Sequence, residues 1–552
     1  LSSGTSGAIA VTIDSDQNVR THAKLGIRVD GDAIPWRGTA QVPAVINLAG
    51  NGAVFTRPDV TYLSQNFYYN ASDIGAVIDA GKGSLIELTA GEIKFANTST
   101  GASANAAISV VERVRINTEG NIYNVNSYTS TFFGLDAGNN ANQTGVHNAA
   151  FGHKAAEDMT TGAYNTAIGA FALENNDTGS ENTAVGYAAL YDGSQGGAGN
   201  TAVGSIALGK VTTGSNNVGV GKTTGLNLTS GSENTMVGYA AGLGTGATLT
   251  GAVLIGFQAG YSCTWNYTIA IGHNALVGQT SGNYNLGIGK DAIASNQTGS
   301  QNTAVGYQAL KTTTGSLNTA VGMQALYYAG NASYNTAVGQ LAGFHNTTGA
   351  ENTLIGSRAG QELTTGSFNI GIGSGALYGA SGSAATNNIA IGVNAMSGAT
   401  TAVCQYNTIV GNFAADTITT GYSNAALGYQ TLTNITTGAN NAILGRGAGL
   451  SLTTGSSNTL LGGEAGDSIT DGNNNVAIGR LAYQAGDNSN NVVIGVQAGY
   501  SANQSNAVFV GYKAGYSNTA ASSVFIGSES GINSTSGIQN VFVGPDAGYL
   551  NV

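Results

Sequence analysis

The sequence is poor in the residues that interrupt a ladder or decorate a surface. Only four of its 552 residues are proline (Pro35, Pro43, Pro58 and Pro545), so from Pro58 to Pro545 every backbone N–H remains a donor. Charged residues make up 9% and hydrophobic ones 41%, the reverse of the balance that keeps a chain disordered. Two cysteines, Cys263 and Cys404, are too few for a disulfide scaffold. No apolar run reaches the roughly 18 residues of a membrane-spanning helix, so no membrane insertion is expected. Acidic residues outnumber basic ones, 29 to 18, for a net charge of −11. No basic stripe forms, so no nucleic-acid partner is expected. The opening stretch LSSGTSGAIAVTIDSDQNV lacks a basic start and a long apolar core, and does not read as a signal peptide.

Glycine is what the chain has in excess. There are 85, about twice the usual share, without the every-third spacing of collagen. They mark a repeat. Asn302-Thr303-Ala304-Val305-Gly306-Tyr307-Gln308-Ala309-Leu310 is followed by KTTTGSL, and NTAVG starts again at Asn318. Anchored on the glycine that closes each NTAVG-like word, 25 copies run from Gly134 to Gly544, spaced 16 to 19 residues apart and most often 17. The residue before the anchor is aliphatic except at Phe133 and Phe151. The residue three after it is Ala except at Thr224, Thr431 and Ser530. Asn stands four before it in 20 copies, and Thr, Val or Ile, all strand formers, usually stand three before. Thr-Thr-Gly further upstream is turn chemistry.

A 17-residue period is too short for a helical hairpin, and its aliphatic spacing is not 3.6. Extended, it spans about 56 Å, enough for one closed turn of two short strands joined by two turns. Stacked turns would put like residues above each other at about 4.8 Å. The recurrent Asn then forms a hydrogen-bonded ladder, and the recurrent Ala marks a place too tight for more. The expected fold is all-β: a parallel β-solenoid of about 25 short turns, roughly 120 Å long. Residues 126–552 form this shaft and residues 1–125 a small N-terminal β domain. Within the latter, Ile86 and Leu88 against Ile93 and Phe95, around Ala90-Gly91, predict a hairpin.

The two residues before each anchor are both apolar, as in Leu354-Ile355 and Phe542-Val543, although neighbours on a strand face opposite sides. One face fills the turn, and the other needs a cover, most simply another copy of the chain. The residue two before the anchor grows from mostly Ala to Val493, Phe509, Phe525 and Phe542. Taking that position as the outer face, the sequence predicts a homo-oligomer packed along the axis.

The words NTAVGYQAL and NTAVGMQAL resemble the YadA-like head repeats of trimeric adhesins, and more closely their longer-period relatives in bacteriophage tail fibres. The resemblance covers about 425 of the 552 residues. It implies left-handed parallel β-rolls, three chains around one axis. Val11-Thr12-Ile13-Asp14-Ser15-Asp16-Gln17-Asn18-Val19 and Val114-Arg115-Ile116-Asn117-Thr118-Glu119-Gly120-Asn121-Ile122 resemble the short linking motif of such fibres. The implied protein is a structural tail fibre of a virion, a homotrimer assembled in the host cytoplasm. Other virion proteins would join its N-terminal end, and it would bind a bacterial surface glycan or protein receptor. The very apolar last repeat, Asn540-Val541-Phe542-Val543-Gly544, is expected to be covered by further chain, a cleaved chaperone or a tip protein.

Chemistry is sparse. Gly287-x-Gly289-x-x-Ala292 and Gly371-x-Gly373-x-x-Ala376 match a dinucleotide fingerprint only because the repeat puts Gly and Ala there. His153 and His273 share a repeat position seven turns apart, too far for one metal. Glu181, Glu233 and Glu351 share another, but not in adjacent turns, so no carboxylate pair suits glycoside hydrolysis. No cofactor, metal or catalytic residue is expected. Tyr261, Tyr500, Tyr516 and Tyr549 occupy one repeat position and are the candidate surface contacts. They either stack on glycan sugars or simply cover the roll edge, and the second reading is preferred. The alternative functions are a bacterial trimeric surface adhesin, which needs an export signal and anchor, and a fibre-borne polysaccharide depolymerase, which needs a carboxylate cluster. Ice binding by the Thr three before the anchor is disfavoured because that residue is expected to share the core face.

Overall fold

The computed structural model describes residues 130–549 apart from 141–142, 193–195, 265, 279–280, 297, 380–382, 400–403 and 536. Before residue 130 it describes eleven strands. The chain forms two compact units, Leu1–Ile168 and Gly169–Val552. Among the described residues there is no helix, hence none long and apolar enough to cross a membrane.

The first unit holds a seven-stranded sheet. Within it Ser84–Thr89 and Glu92–Thr98 pair antiparallel with Ile86 opposite Phe95 and Leu88 opposite Ile93, the hairpin the alternation predicts. Ala90-Gly91 lies outside the described residues. The strands at the ends of the two similar segments, 11–19 and 114–122, pair alike. Val11–Ile13 pairs with Val19–Thr21, Ile13 opposite Val19, and Val110–Ile116 pairs with Ile122–Asn124, Ile116 opposite Ile122. In each the paired strands are antiparallel and five residues apart in the sequence, so like sequence gives like register.

The repeat forms a single parallel sheet of 25 strands in sequence order, a β-solenoid. Each strand is three residues long, such as Thr303–Val305, which pairs in register with Thr319–Val321. Among the described residues the expected second strand per turn is not there as a regular element. Isolated bridges such as Thr313 to Gly330 and Leu363 to Ser383 mark where that side of the turn runs parallel to its neighbour. The rest of the turn bends through left-handed residues. In the turn of Gly306, positive φ occurs at Gln301 (58°), Gly306 (138°), Gln308 (55°) and Leu310 (48°). Such angles cost an L-residue about 1–2 kcal/mol. They recur because a short closed turn needs the reversals, and burial of side chains such as Leu310, fully buried, offsets them.

The anchor glycine has two independent reasons to be glycine. Its φ is far outside the range of other residues, and a β-carbon on Gly306 would lie 2.5 Å from the carbonyl oxygen of Gly322 in the next turn. Backbone, not side chain, occupies that space.

The strand's inner and outer faces are the reverse of those the sequence suggests. The middle residue, two before the anchor, is buried: Ala304, Leu354, Phe509 and Phe525 are all fully inside. The flanking residues face outward, with Leu427, Leu444 and Leu461 at 50%, 45% and 41% exposure. The growth from Ala to Phe along the chain is therefore core packing within one chain. Phe509 and Phe525 stack at 5.2 Å, and Phe525 and Phe542 at 4.9 Å. The strand threonines, such as Thr353 and Thr459, share the outward face rather than the core, so burial is no argument against their reaching solvent.

The asparagine row behaves as expected. Asn318 donates its main-chain N–H and its Nδ2 to Asn302 Oδ1 at 3.0 and 3.2 Å, and its Nδ2 also donates to Ala332 O at 2.8 Å. The same pattern repeats without interruption to Asn491. Each buried amide thereby has partners for donors and acceptor alike, which removes the penalty of sinking a polar group in a dry core.

Candidate contact surface

Stacking turns converts a repeat position into a column of side chains about 4.8 Å apart, within the range of offset-stacked rings. Of the four candidate tyrosines, the structure brings two together. Tyr500 and Tyr516 stand in adjacent turns with ring centroids 4.9 Å apart and planes 7° from parallel. Lys513 Nζ lies 5.7 Å from the Tyr516 ring and 5.2 Å from the Tyr512 ring, within cation–π range. Tyr549, 41% exposed, follows two turns later with Ile532 between. Tyr261 is half-buried and many turns away. The four positions are one column in the repeat but not one site.

Rings also stack outside the four candidate positions. Tyr239, Phe257 and His273 stack in three consecutive turns, at 5.3 and 4.9 Å. Tyr267 and Tyr284 stack at 5.8 Å with planes 2° apart. The densest group is Tyr327, Tyr328, Phe344 and His345. Tyr327 stacks on Phe344 at 5.1 Å and Tyr328 on His345 at 5.7 Å, while the neighbours within each pair meet edge-on at 4.5 and 4.7 Å. Lys311 Nζ sits 5.4 Å from the Tyr327 ring, and Glu362 Oε2 lies 2.9 Å from His345 Nδ1. The signal was available: the dipeptides Tyr327-Tyr328 and Phe344-His345 occupy the same two repeat positions in adjacent turns.

Three of the titratable groups that depart from their ordinary behaviour, Asp487, Tyr483 and Cys404, lie within the solenoid's own packing and hydrogen bonding. Asp487 accepts from the N–H groups of Thr470, Asp471 and Gly472 at 2.8, 2.9 and 3.3 Å, and from the Thr470 hydroxyl. Burial alone would push this carboxyl up, but the hydrogen bonds together hold it below its usual range. In neighbouring turns a main-chain carbonyl takes that place: Thr436 O accepts from Thr419, Thr420 and Gly421. Tyr483 is fully buried, its hydroxyl donating to Asn488 O and accepting from Asn491 Nδ2, and burial pushes it up to about 12. Cys263 and Cys404 are both buried thiols, and burial pushes Cys404 up to about 12. Among the described residues no three His, Cys, Asp or Glu side chains gather as a metal site would need.

What this surface can do follows from its chemistry. It offers ring faces and edges, hydroxyls and few charges, which suits contact with polyols and with apolar protein patches. Comparison with protein families, with curated proteins and with solved structures finds no match.

Proposed function

We propose that the chain is the shaft of a homotrimeric fibre, a virion tail fibre like those its repeat resembles, contributing to adhesion at a bacterial surface. The observation that carries this reading is the outward face of the strand ladder. An aliphatic or aromatic side chain stands there in every turn; Phe133, Phe151, Val338, Ile355, Leu427, Leu444, Leu461 and Ile526 are each more than a third exposed, and others, such as Val305 and Val321, are half-buried. Soluble monomers seldom leave a row of apolar side chains of this length open to water. Three copies around an axis parallel to the column would cover it in every turn, and closed symmetry would end the association at three. The proposed partners are two further copies of the chain, other virion proteins at the N-terminal end, and a bacterial surface glycan or protein receptor. No catalytic role is part of the proposal.

The reading is tested by mass spectrometry on purified virus particles and on the outer envelope of uninfected host cells. Peptides of this chain enriched with the particles are the expected result. Peptides found only in the cell envelope would replace the virion fibre with a cellular adhesin.

A further inference from the structure

We infer that the groove beside Tyr328 binds a neutral glycan. Five consecutive turns each place one residue six positions after the anchor glycine: Ser295, Thr312, Tyr328, His345 and Glu362. The column changes height in the middle. His345 covers one face of the Tyr328 ring, planes 6° apart, and is braced from beyond by Glu362. The other face of Tyr328 looks back over the shorter Thr312 and Ser295. That drop opens a groove of about 430 Å³ lined by Ser295, Thr312, Thr313, Thr314, Tyr328, Gly330 and Thr347, within the size range of small-molecule sites.

The lining dictates the class of ligand. It contains a 43% exposed aromatic ring, hydroxyls, and no charged side chain. The threonine hydroxyl protons are already used: Thr312 Oγ1 donates to Tyr327 O at 2.8 Å, Thr314 Oγ1 to Gly330 O at 3.1 Å and Thr347 Oγ1 to Thr364 O at 3.2 Å. What the threonines present outward is lone pairs, which call for a ligand rich in donors. An apolar C–H face for the ring and a rim of hydroxyl donors for the threonines together describe a pyranose. An anionic sugar would need a cation, and the nearest one placed by a ring contact, Lys311, is engaged over Tyr327 in the adjacent column.

This site deepens the adhesive part of the function proposed above and rests on it, whereas the trimeric shaft is measured independently by mass in solution. The test applies the full chain to immobilised neutral oligosaccharides (mannose, glucose, galactose and N-acetylglucosamine oligomers) and to anionic ones (hyaluronate and sialylated chains). Expected are retention on at least one neutral oligosaccharide that persists in about 0.5 M salt, where exposed charge contacts are screened, and a loss of tenfold or more with Tyr328→Ala. Thr314→Val should weaken retention several-fold with the fold intact by circular dichroism. Tyr406→Ala, which removes a 60% exposed ring elsewhere, should leave it unchanged. Retention on no neutral oligosaccharide, retention on anionic ones only, or equal binding by wild type and both groove variants would overturn the site. A trimer that binds no neutral glycan would sink the groove and spare the fibre.

Discussion

A β-carbon placed on Gly515 would lie 2.7 Å from Cδ1 of Phe509, six residues earlier in the same turn. The two positions share one volume in most turns of the shaft, the exceptions being Ala150/Ala156, Gly219/Gly225 and Ala337/Gly343, where both are small. Where the strand residue is large (Leu354, Leu460, Phe509, Phe525), the residue six later is glycine: Gly360, Gly466, Gly515, Gly531. Where it is small (Ala184, Ala304, Ala320, Gly371), the partner is Leu190, Leu310, Leu326 or Leu377. Both sets are buried. In no turn are both positions large.

This exchange predicts strong non-additivity. Phe509→Ala alone should cost about 3–5 kcal/mol by leaving a cavity, and Gly515→Leu alone roughly 1–3 kcal/mol or more by overpacking. The double variant restores the Ala304/Leu310 arrangement and should recover at least half of the summed loss. A double-mutant cycle by denaturant unfolding measures it; simple additivity would contradict the shared volume.

Gly306→Ala should destabilise the turn by more than about 2 kcal/mol, because the left-handed angle and the backbone of Gly322 both resist a β-carbon. Gly463 immediately follows the anchor Gly462, and a β-carbon there meets nothing within 4 Å. Gly463→Ala should be neutral or stabilising by up to about 1 kcal/mol. Equal melting temperatures for the two variants would remove the backbone-contact explanation.

Asn352→Ala interrupts the ladder in its middle. It strands Gly366 O, which accepts from Asn352 Nδ2 at 2.9 Å, and the Asn369 N–H and Nδ2, which donate to Asn352 Oδ1. Each buried group left unpaired costs about 1–3 kcal/mol, so the loss should be among the largest for any polar substitution in the shaft. Hydrogen exchange should report it locally, as faster exchange at Asn369 than at Asn458. Unchanged exchange there would mean the ladder contributes nothing.

The pH dependence has two limbs of opposite sign. Cys404 and Tyr483 have raised folded values, so their contribution is complete below the ordinary values of 9.0 and 10.0 and is lost as pH rises toward about 12. Asp487 has a lowered value, so its contribution is present above the ordinary 3.8 and is lost as pH falls below it. Tyr483→Leu, the residue of sister turns, should shift alkaline unfolding to higher pH. Asp487→Asn should blunt the acid limb. Circular dichroism across pH reads both, and unchanged limbs in the variants would refute the assignment.

Much of the fold is written in the repeat: its period, its parallel stacking, the asparagine row and the N-terminal hairpin at Ile86 and Phe95 all follow from spacing. The inner and outer faces did not follow. Both candidates for the core are apolar, and only the compensation between Phe509 and Gly515, or Ala304 and Leu310, distinguishes them; it spans six residues and crosses a bend that alternation does not describe. The single strand per turn was hidden for a related reason, since residues such as Leu310 and Gln308 give no local hint of a left-handed conformation. The candidate tyrosines were grouped by repeat position alone. Proximity also requires adjacent turns, which joins Tyr500 to Tyr516 and separates Tyr261, and which makes a cluster of Tyr327, Tyr328, Phe344 and His345.

The proposed covering of the outer ladder by further copies is the centre of this account, and the mass of the protein in solution tests it most directly. Light scattering on the full chain should give three times the 55.1 kDa of one copy, at a value independent of dilution through the micromolar range. Replacing Leu427, Leu444 and Leu461 together by serine should weaken that assembly. A stable, monodisperse species of 55.1 kDa would show that the apolar column needs no partner and would contradict the fibre.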